Sequence, residues 1–387
     1  MIYADCAATT PVSEAVLAEM MPYFTDSYGN PSTLYKLGRN AGSALETARE
    51  RIAAVLGCHP AEIFFTSCGT ESDNWALTGT AKAGHNIVTT SIEHHAVLHT
   101  CDYLEKRGME IRRISPDSNG IVPAERLISA MDNNTTLVSV MYANNEVGTV
   151  QPVYEAAQAA HERGILFHTD AVQAAGHTAI DLSSGVIDMM SISGHKLHAP
   201  KGIGLLYIRK GVILENFMHG GAQEMGKRAG TENVAFAVGL ARALEDRMSG
   251  MEEREASLLA EREYITERIL SEIPASVLNG DRHRRAAGNM NFSFDGADGE
   301  SLILLLDIEG VSCSSGSACA SGAVNASHVL RAMGIDEKLA KCSLRLSFSE
   351  PIGRGACDML CDAVKRSVEK IRRLSGWSSG AVCKKST

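Results

Sequence analysis

Short apolar runs alternate with helical stretches through the middle of this 387-residue chain. Such alternation is typical of a mostly parallel β-sheet whose two faces are covered by helices. We therefore predict an α/β fold with a large, mostly parallel sheet, in which ligands bind at the carboxyl ends of the strands. The strands predicted in this region are residues 63–66, 87–90, 137–141, 165–168, 187–192 and 204–208.

The C-terminal part of the chain has a different pattern. Residues 233–272 are rich in Ala, Glu, Arg and Leu, which predicts one long helix leading out of the sheet region. Beyond it, predicted strands at 289–294 and 343–347 are mixed with predicted helices at 301–306 and 357–374. We predict a large domain at residues 14–255 and a smaller α+β domain formed by residues 1–13 and 256–387.

Composition excludes several classes of function. The net charge is −9 and the pI is near 5.8, which argues against nucleic acid as a direct partner. No apolar run approaches the ~20 residues of a membrane-spanning helix, and the N-terminus lacks a signal-peptide pattern, so we expect a cytoplasmic protein without a membrane partner. The ten cysteines are expected to be mostly reduced thiols, and their spacing predicts no structural metal site.

Residues 66–74 follow the first of these strands and open a helix with small and hydroxyl side chains, Thr-Ser-Cys-Gly-Thr-Glu-Ser-Asp-Asn. The free N–H groups and the dipole of a helix N-terminus favour an anion, so this segment is a candidate phosphate site. An ordinary helix cap explains the same residues equally well.

Two further strands end in single ionisable residues. Asp170 follows the strand at 165–168 and is either a satisfied capping carboxylate or a partner for a protonated ring nitrogen. Lys196 lies in the Ser-Gly-His-Lys segment 193–196, where partial burial would favour a reactive amine that forms an imine. A lone lysine is usually a surface residue. A phosphate segment, an aspartate and a lysine that follow one another in this order are a more specific signal of function than any one of the three alone.

These residues carry a resemblance to fold-type I pyridoxal-phosphate enzymes of the class V aminotransferase superfamily. Within it, the chain is similar to the group I cysteine desulfurases, the NifS/IscS type. The resemblance extends from Tyr3 to about residue 370. The matching stretches are residues 7–11, 29–32, 65–74, 93–94, 144–148, 170–173, 193–196, 228–231, 314–319 and Arg345.

The resemblance implies pyridoxal 5′-phosphate as cofactor and a role for each matching residue. Lys196 would bind the cofactor covalently and move the substrate's α-proton, and His94 would stack on the ring as an acid–base group. Asp170 would pair with the ring nitrogen and Gln173 with the phenolic oxygen. The phosphate and remaining cofactor contacts would come from Gly69, Thr70, Ser193, His195 and Asn145, with Thr231 reaching the site of a neighbouring subunit in a homodimer.

The same resemblance assigns the substrate carboxylate to Arg345, Asn145 and Asn30. Two alternatives stay open at this point. Arg345 could instead form a structural ion pair, as buried arginines often do. His94 and His95 could form a metal pair, although side chains of adjacent residues point apart on most elements.

Cys319 lies in residues 310–322, a small, polar segment with neither helical nor strand periodicity. One interpretation is a surface loop with an incidental thiol. The resemblance instead implies a mobile loop whose thiolate attacks the sulfur of L-cysteine, which leaves alanine and a Cys319 persulfide. The sulfur would pass to an acceptor, such as an iron–sulfur scaffold or a tRNA-thiolation protein. Transient iron–sulfur ligation by Cys319 is the one metal contact left open.

The sequence departs from the family at three cysteines and at its C-terminus. Cys6, Cys68 and Cys313 stand at or near matching motifs, and we interpret them as small space-filling residues, with receipt of the persulfide as the alternative hypothesis. Residues 376–387 do not resemble the tail with which housekeeping relatives bind the cluster scaffold. Alternatives for the whole chain are a selenocysteine lyase, another aminotransferase-family enzyme, or an inactive scaffold.

Overall fold

A computed structural model of the protein describes residues 1–315 and 326–377. Cys319 and Cys383 lie outside the described residues. The strands are β1 Ile2–Tyr3, β2 Ile63–Thr66, β3 Asn86–Thr90, β4 Glu110–Ile114, β5 Thr135–Ser139, β6 Leu166–Asp170, β7 Met189–Ser193, β8 Gly204–Ile208, β9 Ser276–Leu278, β10 Asn289–Phe294, β11 Val311–Ser312 and β12 Ser343–Ser347.

The helices cover both faces of the large sheet and most of the C-terminal part. They are α1 Glu14–Met20, α2 Pro22–Thr25, α3 Lys36–Leu56, α4 Gly69–Thr80, α5 His95–Glu105, α6 Ala124–Ala130, α7 Val153–His161, α8 Val234–Met248, α9 Met251–Glu272, α10 Gly299–Ile308, α11 His328–Ala332, α12 Glu337–Ala340 and α13 Arg354–Ser375. No helix in the described part of the chain is long and apolar enough to cross a membrane.

The central sheet has seven strands in the order β2-β8-β7-β6-β5-β3-β4. Only β8 is antiparallel to its neighbours, so the prediction of a mostly parallel sheet is confirmed. Successive strand residues point to opposite faces, which is why Phe64 and Phe65 belong to different hydrophobic clusters. Helices α4 and α5 cover one face, and α3, α7 and α8 cover the other.

A third hydrophobic cluster lies around the three-stranded sheet β12-β10-β9. It joins side chains of α9, α10 and α13 to Ala4 of the N-terminal segment. Helices α11 and α12 instead contribute Val329, Leu330, Met333 and Ala340 to the cluster of the large sheet. The domain boundaries at residues 13 and 255 stay a prediction.

Two expectations about elements are corrected. The long helix predicted at 233–272 is two helices, because the extended backbone of Ser249 and the left-handed φ of 64° at Gly250 interrupt the helical path. Strand β4 was not predicted, because its sequence Glu-Ile-Arg-Arg-Ile is charged. It is the edge strand of the sheet, where charged side chains discourage pairing with another chain.

Candidate active site

The carboxyl ends of β2, β5, β6 and β7 surround a cavity of about 380 Å³. Most of the site residues predicted from the sequence line it: Gly69, Thr70, His94, Asn145, Asp170, Gln173, Ser193, His195, Lys196 and Arg345. Asn30 and Thr231 are exposed elsewhere on this chain and do not line the cavity. Parallel strands therefore bring together residues that are far apart in sequence.

One end of the cavity is suited to a phosphate. Helix α4 begins at Gly69, and its N-terminal neighbour Cys68 makes no capping hydrogen bond with its side chain. A Cβ atom on Gly69 would lie 2.7 Å from Val172 Cγ2, so only glycine leaves this approach open. Ser193 Oγ is buried and has no hydrogen-bond partner among the described residues. A phosphate would meet both the helix N–H groups and this hydroxyl.

Asp170 is the last residue of β6 and is buried. Its Oδ1 accepts a hydrogen bond from the Val172 N–H at 2.9 Å, which fixes the carboxylate at the strand end. Burial raises the pKa of Asp170, while electrostatic interactions with His94 and Lys196 and the hydrogen bond from Val172 act in the opposite direction. A cationic ring nitrogen placed against this carboxylate would likewise stabilise its ionised form.

Lys196 ends a short 3₁₀ turn, Gly194–Lys196, directly after β7. Its Nζ donates hydrogen bonds to the carbonyl oxygens of Ala7 and Ala8, both at 2.6 Å. Gln173 Nε2 also donates to the Ala7 carbonyl, at 3.0 Å. The N-terminal segment thus forms a wall of the cavity and holds the amine at its edge.

The two histidines of the cavity are disposed to be neutral. His94 precedes α5, and its Nδ1 accepts the Ala96 N–H at 3.1 Å, so the ring orientation is fixed. Burial lowers the pKa of His94; the charge of Asp170 acts to raise it, the charge of Lys196 acts to lower it, and the net shift is downward. Burial and the nearby lysines lower the pKa of His195 to about 4. A neutral imidazole at position 94 is compatible with stacking on an aromatic ring.

Arg345, in the middle of β12, also lines the cavity. Its Nη2 donates to Asp5 Oδ1 at 2.7 Å and its Nη1 to the Asn145 carbonyl at 2.8 Å. The side chain is 4% exposed, and its Nε has no partner among the described residues. Arg345 therefore forms an ion pair and also lines the cavity, and its role in binding a substrate carboxylate stays a prediction.

The sequence did not identify a buried polar layer beneath Asp170. Asp73 of α4 lines the cavity, and burial together with the charge of Asp170 raises its pKa well above the ordinary value. His168 lies 3.7 Å from Asp73, and its two ring nitrogens contact the hydroxyls of Ser139 and Ser191 at 2.9 and 3.0 Å. Asp73 is the fifth residue of α4, and its contacts with Asp170 and His168 come from distant parts of the chain, so the sequence around it gave no distinctive signal.

The three cysteines near the predicted motifs lie in different surroundings. Cys68 lines the cavity, whereas Cys6 accepts a hydrogen bond from Ser349 Oγ at 3.3 Å in a small space behind Lys196. Burial raises the pKa of Cys6 and raises that of Cys313 to about 12. Among residues 1–315 and 326–377, no group of three or more His, Cys, Asp or Glu side chains is arranged to bind a metal ion.

A family model described as aminotransferase class-V matches residues 2–350 of the sequence. This chain belongs to the class-V aminotransferase family. The family uses pyridoxal phosphate, and the cradle at Gly69 and Ser193 fits the phosphate of that group. The expected family, fold class and cofactor are therefore confirmed.

Curated relatives of this family member match along nearly their whole length. Cysteine desulfurase IscS of Methanosarcina thermophila is 46% identical over 378 residues, which cover 97% of this chain and 93% of the relative. Cysteine desulfurase IscS of Clostridium botulinum, strain Hall, is 45% identical over 380 residues, covering 97% and 96%.

Solved structures give the same result for the fold. A NifS-like protein superposes with a TM-score of 0.87 at 36% identity, covering 97% of this chain and 100% of that protein. A structure of SspA in complex with cysteine superposes with a TM-score of 0.79 at 36% identity, covering 91% and 99%.

Proposed function

We propose that this protein is a cysteine desulfurase that converts L-cysteine to L-alanine and holds the sulfur as a persulfide on Cys319. One observation carries the proposal: Lys196, Asp170 and Arg345 line a single cavity in a chain that is 46% identical to a cysteine desulfurase. The structure of SspA with cysteine supports the same substrate.

Three charged residues of the cavity have defined tasks in this reaction. Pyridoxal phosphate, when bound, supplies an electron sink that stabilises negative charge at the substrate α-carbon. Lys196 holds the cofactor and moves the α-proton, and the Asp170 carboxylate stabilises a protonated ring nitrogen. Arg345 binds the substrate carboxylate through the donors that Asp5 and Asn145 leave available.

Cys319 performs the sulfur transfer. Its thiolate attacks the substrate sulfur, a sulfur–sulfur bond forms, and the carbon–sulfur bond of cysteine breaks. The substrate carbon takes up a proton, so one cysteine and one thiol give one alanine and one persulfide. An acceptor thiol then takes the terminal sulfur by exchange.

We infer further that the enzyme is a homodimer in which Thr231 serves the neighbouring site. The exposed position of Thr231 on this chain is compatible with that role. The sulfur acceptor is proposed to be a protein such as an iron–sulfur scaffold or a tRNA-thiolation protein. A cytoplasmic location stays a prediction from the sequence.

The test is an assay of alanine and sulfide on purified protein loaded with cofactor, with a dithiol reductant present to release the persulfide sulfur as sulfide. We expect both products from L-cysteine, and almost none from a Cys319→Ser variant that still binds cofactor. Cys58→Ser is the matched control, because Cys58 is a partly buried thiol remote from the cavity. Activity confined to selenocysteine, or transamination that is unaffected by Cys319→Ser, would contradict the proposal. Either result would indicate a different enzyme of the same family.

A further inference from the structure

The turn between β2 and α4, which forms the phosphate end of the cavity, is held by an ion pair. Glu71 Oε2 accepts the Ser67 N–H at 2.7 Å, so the carboxylate fixes the start of the turn. Arg228 donates from Nε to Glu71 Oε1 at 2.8 Å and from Nη2 to Oε2 at 3.1 Å. Both side chains are largely buried, at 16% and 6% exposure for Arg228 and Glu71.

We propose that Arg228 and Glu71 are positioning residues for the cofactor phosphate: Glu71 fixes the turn, and Arg228 neutralises Glu71 so that a phosphate dianion can bind beside it. The inference rests on the pyridoxal-phosphate site of the proposed function and adds to it two residues that line no part of the cavity.

The need for charge compensation follows from the position of Glu71. It lies two residues after Gly69 in the first turn of α4, where the free N–H groups would receive the phosphate. Although burial acts to raise it, the hydrogen bonds from Arg228 and Ser67 lower the pKa of Glu71, so the residue is ionised. An unpaired carboxylate here would repel the incoming dianion, since like charges a few ångströms apart interact strongly away from water.

The position of Arg228 is fixed, because residues 223–228 are hydrogen-bonded to strand β2 through Glu224. Glu224 Oε2 accepts the Phe65 N–H at 2.9 Å, on the edge of β2 that faces away from β8. Arg49 donates to both Glu224 oxygens, at 2.9 and 3.1 Å.

The backbone of this segment supports the same conclusion. Glu224 and Met225 have positive φ angles of 46° and 55°, a strained conformation for non-glycine residues. Such a conformation persists only where surrounding contacts enforce it. The contacts of Glu224 with Phe65 and Arg49 enforce this conformation. They thereby hold Arg228 in a fixed orientation beside Glu71.

The experiment compares two ligands that differ only in the phosphate. Full-length, cofactor-free Arg228→Gln is titrated with pyridoxal 5′-phosphate and with pyridoxal, and binding is followed by quenching of tryptophan fluorescence. We expect the dissociation constant for pyridoxal phosphate to rise about tenfold or more, because a buried carboxylate is left unpaired next to the dianion. The dissociation constant for pyridoxal should not change.

The matched control is Arg209→Gln. Arg209 also pairs with a buried carboxylate, Asp188, but at the opposite end of the sheet. A loss of pyridoxal-phosphate affinity equal in Arg209→Gln and Arg228→Gln, or a parallel loss for pyridoxal, would overturn the inference, since either result means general destabilisation.

A double variant separates charge from folding. Glu71→Gln combined with Arg228→Gln removes both charges and should recover most of the affinity lost in Arg228→Gln. A double variant as weak as Arg228→Gln would contradict the charge argument. These titrations contain no cysteine, so a protein that binds cofactor as expected but yields no alanine would contradict only the proposed function.

Discussion

Arg345 and Asp5 form an ion pair across 340 residues of sequence, with Arg345 Nη2 donating to Asp5 Oδ1 at 2.7 Å. The cation proposed to bind the substrate carboxylate is therefore already paired with a carboxylate of the N-terminal segment. Together with the Asn145 carbonyl, Asp5 fixes the plane of the guanidinium before any substrate arrives. A planar guanidinium held in one orientation is suited to binding a carboxylate through two hydrogen bonds.

Asp5→Ala should raise KM for L-cysteine more than it lowers kcat. Without Asp5 the guanidinium loses one of its two orienting partners, and we expect KM to rise about tenfold, the effect of losing ~1.4 kcal/mol of binding. Asp5→Asn keeps a hydrogen-bond acceptor and should recover part of this loss. Steady-state kinetics with L-cysteine measure both. A lower KM in Asp5→Ala would show that Asp5 competes with the substrate instead of orienting Arg345.

Asp170→Asn should bind the cofactor but turn over slowly. An amide cannot stabilise a protonated ring nitrogen as a carboxylate does, so the electron sink is weakened. We expect kcat to fall by about 10²-fold, the usual scale for removing one electrostatic contact to developing charge. The absorption spectrum checks cofactor loading, and the exposed Asp181→Asn is the control. A kcat close to that of the wild type would remove Asp170 from the proposed role.

His168 should make the protein less stable in acid. Burial lowers its pKa to about 3, against ~6.5 in an unfolded chain, so the unfolded state binds more protons between these values. The free energy of unfolding therefore falls as pH falls through this window, by up to about 1.4 kcal/mol per pH unit from this residue.

His168→Gln tests this contribution, because glutamine can contact the hydroxyls of Ser139 and Ser191 but cannot be protonated. Urea unfolding at several pH values between 5 and 7 should give a shallower loss of stability than in the wild type. The surface variant His161→Gln controls for removal of a histidine. An unchanged slope in His168→Gln would mean that His168 does not resist protonation in the folded protein.

Strand positions were predictable where apolar residues are continuous. The strands predicted at 63–66, 204–208, 289–294 and 343–347 coincide with β2, β8, β10 and β12. Strand β4 was missed because an edge strand does not need apolar residues on both faces. The prediction for 165–168 stopped short of Asp170, because polar residues at the end of a buried strand look like a loop.

The cavity was predictable because parallel strands end at one edge of a sheet, so Asp170, Ser193 and Lys196 had to lie near one another. The side-chain partners of the site residues were not predictable from the sequence. Neither the Asp5–Arg345 pair nor the Glu71–Arg228 pair has a local sequence pattern, since their members are 340 and 157 residues apart. Such pairs follow from tertiary packing, which a single sequence does not reveal.

The central claim is that sulfur from cysteine is held on Cys319, and mapping of the persulfide tests it most directly. The cofactor-loaded protein is mixed with isotopically labelled L-cysteine, its thiols and persulfides are alkylated, and its peptides are analysed by mass spectrometry. We predict one labelled sulfur atom on the Cys319 peptide for each alanine formed, and none in Cys319→Ser. Labelled sulfur on Cys6, Cys68 or Cys313 in the absence of label on Cys319 would contradict the account.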